Sequence, residues 1–164
     1  DYNELVQLMP EMDKAREQIE AASVEAQETY TAMMEEYQTK AQQFQQKQST
    51  WTQAIRDSKA AELQQIEYRI QDFQQAIQQE LQQTQQTLQA PIYEKAQATV
   101  TELAKAKGVA FVFEKNSVIY IDPAQAIDLT PEARKALGIP DDRTLESLQA
   151  ELQAKAQAAQ GGAQ

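Results

Sequence analysis

The chain has no cysteine and no histidine among its 164 residues, and only 4 glycines, 5 prolines and a single tryptophan. Each absence excludes a class of chemistry. Without cysteine there is no disulfide. Without cysteine or histidine there is no thiolate or imidazole zinc site, and no Cys–His or Ser–His nucleophilic pair. Positive charge is also scarce: 15 Lys and Arg stand against 25 Asp and Glu, for a net charge of −10. The acidic excess is spread out, at −5 over residues 1–56, −2 over 57–107 and −3 over 108–164. With no basic cluster there is no face to neutralise phosphates, which argues against nucleic acid as a partner. Long apolar runs are missing too. None approaches the roughly 18–20 residues of a membrane span. The P-loop, GxGxxG, GxSxG and carboxylate metal motifs are all absent, so the reading is a non-enzyme with no cofactor. Acidic pairs such as Glu35–Glu36 and Asp141–Asp142 read as solvated surface.

What the chain does have is 29 Gln and 26 Ala. Such a composition is rich in helix formers and poor in core material. A protein of this kind buries little surface alone and is expected to be elongated or oligomeric.

Residues 11–56 contain neither Pro nor Gly, and Tyr30, Tyr37, Phe44 and Trp51 recur every seven positions. This is the seam of a coiled-coil helix. A second stripe runs through Leu63, Ile66, Ile70, Phe73, Ile77, Leu81 and Leu88, with spacings that alternate between three and four over its first half. Two seams of similar length bury each other if the chain reverses between them. Asp57–Ser58–Lys59 is the turn candidate, since Asp and Ser bond nearby backbone N–H groups. One unbroken helix over 11–107 is the competing arrangement. Pro91 should kink the second helix or start a new one. Gly108 should end it, with Lys105 and Lys107 in its last turn.

Beyond Gly108 the pattern changes. Val109–Phe113 and Val118–Ile121 are short apolar runs separated by Glu114–Lys115–Asn116–Ser117, which reads as a β-hairpin closed by Asp122–Pro123. Two strands alone are unstable in water, so they need further strands from the same chain or another copy. Thr130 is a candidate cap for a short helix that carries Pro131 in its first turn and ends at Leu137–Gly138. From Thr144, Leu145, Leu148 and Leu152 mark one face of a last helix, and the Ala/Gln run 153–164 is expected to fray.

The order of these pieces resembles the Skp (OmpH-like) family of periplasmic chaperones. The residues that carry the resemblance are Leu8–Met12, Arg69–Phe73, Ala90–Pro91–Ile92, Gly108–Phe113 and Asp128–Leu129–Thr130, over roughly residues 1–137. The resemblance implies an α+β, mostly α fold. A long antiparallel helical hairpin, the tentacle, would span 11–99 with its tip near 57–59. A small β body of short strands and helices, from 1–10 and 100–138, would assemble as a jellyfish-like homotrimer. Residues 139–164 would be a C-terminal helix and tail outside the family pattern.

The resemblance further implies an ATP-independent holdase in the periplasm, its signal peptide removed, that binds unfolded outer-membrane β-barrel proteins. The alternative is a structural coiled-coil scaffold or spacer that binds a folded partner. Val109, Phe111, Phe113, Val118, Tyr120 and Ile121 are the expected assembly residues, and Met34, Trp51 and Ile55 the expected client contacts. Two departures stand out. Family members carry a first strand just before the segment that begins here at Asp1, and well-known members have basic tentacles where this hairpin is acidic.

Overall fold

The computed structural model describes residues 1–122 and 124–161. The chain is mostly helical. Its elements are α1 (Tyr2–Leu8), α2 (Pro10–Lys47), α3 (Gln53–Ala106), a 3-10 turn (Lys115–Ser117), α4 (Thr130–Ala136) and α5 (Leu145–Gly161). Two compact units can be distinguished. One comprises Asp1–Arg16 and the chain from Thr87 on; the other is Glu17–Gln86.

The first unit holds the apolar core. Helix α1 is short, and its presence was not read from the sequence. Asp1 Oδ1 accepts the Glu4 N–H at 3.1 Å and caps the helix. Met9 is held extended because Pro10 follows it, which separates α1 from α2. Leu5, Val6, Leu8, Met9, Met12 and Ala15 then pack with Ile92 and Ala96 of α3, with Ala133, Leu137 and Ile139 around α4, and with Leu148 of α5. Among the described residues, no charged or polar residue is buried.

Two glycines end helices as expected, and by the same geometry. Gly108 has φ +67°, with its N–H on the Lys105 carbonyl and the Val109 N–H on the Ala104 carbonyl. Gly138 has φ +71°, with its N–H on the Lys135 carbonyl and the Ile139 N–H on the Arg134 carbonyl. Each left-handed residue turns the chain back so that two orphan carbonyls are satisfied.

The second unit is a helical hairpin. Glu36 meets Arg69, Tyr37 meets Glu67 and Lys40 meets Glu62, so partner numbers fall along α3 as they rise along α2. The strands of contact therefore run antiparallel, and a single unbroken helix is excluded. Ile66 and Ile70 are the most buried residues of the second stripe. Tyr30, Tyr37 and Phe44 on α2, and Leu63, Phe73 and Ile77 on α3, are half-buried.

Several expectations are corrected. The chain reverses at Gln48–Thr52, not at Asp57–Lys59, which lie inside α3. There Gln53 Nε2 donates to Asp57 Oδ1 at 2.7 Å, a pairing across one turn of the helix that contains both. Trp51 consequently leaves the heptad seam, because α2 ends at Lys47. Of the two outcomes expected at Pro91, a new helix does not start there; α3 continues through it to Ala106. Thr130 lies within α4, and it is Asp128 Oδ1 that accepts the Thr130 N–H at 2.9 Å.

Helix α5 runs to Gly161, so 153–161 is helical where fraying was expected. Its start is fixed reciprocally: Ser147 N–H donates to Thr144 Oγ1 at 3.1 Å, and Thr144 N–H to Ser147 Oγ at 2.9 Å. Finally, no strand forms among the described residues. The segments 109–113 and 118–121 are irregular, with Glu114 and Val118 in extended conformation. Two isolated runs have no third strand to pair with in one chain. Pro123, part of the expected closing turn, lies outside the described residues.

Candidate interaction surfaces

In the first unit, apolar side chains concentrate on the segment after Gly108. Phe111, Phe113 and Tyr120 are 78%, 71% and 77% exposed, and Ile119, Val112 and Ile121 are exposed as well. Val109 and Val118 are half-buried. The Phe111 and Phe113 rings stack on each other, centroids 6.3 Å apart at 29°. A soluble chain seldom leaves so many large apolar side chains in water on one short segment.

This segment is nevertheless held in place. Glu114 Oε2 accepts the Tyr2 N–H at 2.7 Å, and Asn116 Nδ2 donates to Asp1 Oδ2 at 3.0 Å. Farther on, the Asp122 carboxylate accepts the Ala124 N–H at 2.9 Å and organises the following turn. Thr130 hydrogen bonding holds the Asp128 carboxyl below the usual carboxylate range. The Tyr2 phenol is pushed up by burial and by Tyr93 beside it, and it donates to the Tyr93 carbonyl at 2.9 Å.

The second unit presents a different surface. Trp51 sits half-buried in the link, its ring edge-on to Phe44 at 5.9 Å and 68°. It lines a shallow groove with Gln43, Lys59, Glu62 and Leu63. Ile55 is 44% exposed on the first turn of α3, and Met34 is half-buried on α2. The sequence reading missed Val24 and Tyr68, which are 53% and 59% exposed. Both fall off the apolar stripes, and that displacement was the available signal.

Below the tip, ion pairs join the two helices. Glu62 receives Lys40 from α2 and Lys59 from its own helix, and these hydrogen bonds lower its carboxyl from 4.5 to about 2. Lys40 is raised by the same bond to Glu62. The Tyr37 hydroxyl donates to Glu67 at 2.5 Å, which raises the phenol. Among the described residues no group of three or more acidic side chains is gathered to hold a metal ion, and no helix is long and apolar enough to cross a membrane.

The first unit thus carries an exposed apolar segment, and the second unit is a helical hairpin. The sequence profile of the OmpH-like outer membrane proteins matches residues 1–137. The chain belongs to the OmpH-like family. Comparison with curated proteins gives no match. The family match ends at Leu137, the residue after α4, so α5 lies outside it. Helix α5 is nonetheless integral to the first unit, where it packs on α1 through Leu148.

Proposed function

We propose that this OmpH-like chain is an ATP-independent holdase of the periplasm. It binds unfolded outer-membrane β-barrel proteins and keeps them from aggregating. The observation that carries the reading is the family match over residues 1–137, which covers both the helical hairpin and the apolar segment after it.

The proposed assembly is a homotrimer. Val109, Phe111, Phe113, Val118, Tyr120 and Ile121 would supply strands that pair between chains and bury the surface that one chain leaves exposed. Residues 1–10 and 100–138 form the body in this reading, 11–99 the tentacle, and 139–164 an added C-terminal element. Three tentacles enclose a space that separates one unfolded client from others. Binding is by many weak contacts, among them Met34, Trp51 and Ile55, so no structure is imposed on the client. Release then follows from the client's own folding, by mass action.

The test is suppression of aggregation. An outer-membrane β-barrel protein diluted out of urea should stay clear in the presence of the full chain. A variant with the tip 48–62 deleted should lose most of that protection while its oligomer stays intact. Unchanged protection by the deletion variant would remove the tentacle from the mechanism. Stoichiometric binding to a folded partner, with no effect on unfolded clients, would favour a scaffold.

A further inference from the structure

The link at the end of the hairpin contains neither Gly nor Pro, yet it is closely bonded. One side chain gathers it. Arg56 Nη1 donates to the Trp51 carbonyl at 2.9 Å and to the Gln48 carbonyl at 3.2 Å. Its Nη2 donates to Gln53 Oε1 at 2.7 Å, and the Gln53 amide in turn donates to Asp57 at 2.7 Å. The guanidinium thus sits over the carbonyl end of α2, where a positive charge is favoured. Thr50 reinforces the link from the other side, its N–H and hydroxyl donating to the Lys47 carbonyl at 2.9 and 2.8 Å.

The result is a fixed position for Trp51. Its carbonyl is held by Arg56, and its ring is set edge-on to Phe44. Two helices alone do not cover an indole at their turn, and an unrestrained Trp in a five-residue link would sample many orientations. Ordering it in advance removes that entropy from any later contact.

We propose that Arg56 is a positioning residue that latches the tip and presents Trp51 as a preformed aromatic anchor for apolar segments of unfolded polypeptide. This rests on the reading of Trp51 as a client contact. A planar guanidinium suits the task, because it reaches two carbonyls and one amide oxygen at once. A lysine ammonium would meet fewer of them.

The single tryptophan makes the latch directly observable. In the full chain, Arg56→Met should raise acrylamide quenching of Trp51 about twofold and shift its emission to the red, with helix content by circular dichroism unchanged. Arg56→Lys should recover part of the difference. Gln53→Met, which leaves Arg56 in place, should give a smaller shift in the same direction. For a tryptophan-free outer-membrane β-barrel protein diluted from urea, Kd should rise about three- to tenfold in Trp51→Ala and somewhat less in Arg56→Met. Quenching in Arg56→Met equal to that of the parent chain overturns the latch. Raised quenching with client Kd unchanged in both Arg56→Met and Trp51→Ala overturns the anchor role and, with it, Trp51 as a client contact.

Discussion

Arg143 Nη2 donates to Asp13 Oδ1 at 2.8 Å, tying a residue beyond the family-matched region to the first turn of α2. Arg143 also reaches both oxygens of Glu151 at 3.3 Å, and its own carbonyl accepts Arg134 Nη2 at 2.5 Å. Arg134 in turn pairs with Glu4 of α1 at 3.0 Å. Two largely covered arginines therefore tie together residues of α1, α2, α4 and α5, and Leu148 adds an apolar contact within the same core.

Leu148→Ala should accordingly destabilise the first unit by about 2–4 kcal/mol, the cost of a buried leucine and the cavity it leaves. Arg143→Ala should cost about 1–3 kcal/mol through lost charge-assisted bonds to Asp13 and Glu151. Urea unfolding at one fixed protein concentration measures both. A loss below about 0.5 kcal/mol for both variants would make α5 a loose appendage.

Gly108→Ala and Gly138→Ala isolate backbone strain. Nothing lies within 4 Å of a Cβ built at either position, so no clash contributes. With φ of +67° and +71°, each substitution should cost about 1–2 kcal/mol. Neutral behaviour at both sites by the same unfolding assay would contradict the helix-ending role assigned to them.

Acid should loosen the hairpin unit. The Glu62 carboxyl is lowered from 4.5 to about 2 by Lys40 and Lys59. A depressed carboxylate contributes stability that is fully present above its unfolded value and disappears as the pH falls through the folded one. The contribution is thus lost between about 4.5 and about 2. Hydrogen exchange around 36–40 and 62–69, corrected for intrinsic rates, should show falling protection over that window. Glu62→Gln should flatten the response; an identical pH profile in that variant would assign the loss to other groups.

Phe111→Asp and Tyr120→Asp address assembly. Each places a charge where the proposed trimer buries an aromatic ring. Sedimentation velocity should show a smaller species, while circular dichroism reports the same helix content. A particle unchanged in mass would place the subunit contact elsewhere.

Much of the helical framework was legible in the residues. The stripe from Leu63 to Ile77 has a period that only a helix satisfies, and Gly108 and Gly138 mark ends that need a left-handed residue. The reversal was misplaced because Asp57 and Ser58 are turn formers that a helix also accepts once Gln53 bonds Asp57. The real link, Gln48–Thr52, is built from ordinary residues and closed by Arg56, a contact that spacing does not reveal. Trp51 kept the heptad count by coincidence, after the helix had ended. Helix α1 is too short to show a period. The strand-like runs are a different case: Phe111, Phe113 and Tyr120 have strand composition, yet no strand forms among the described residues, and two short runs alone make no stable sheet.

The most direct test of the central claim is the light-scattering mass of the full chain, alone and mixed with an outer-membrane β-barrel protein diluted from urea. The account predicts a trimer that becomes a soluble particle of three chains and one client. A free oligomer or monomer beside aggregated client would contradict it.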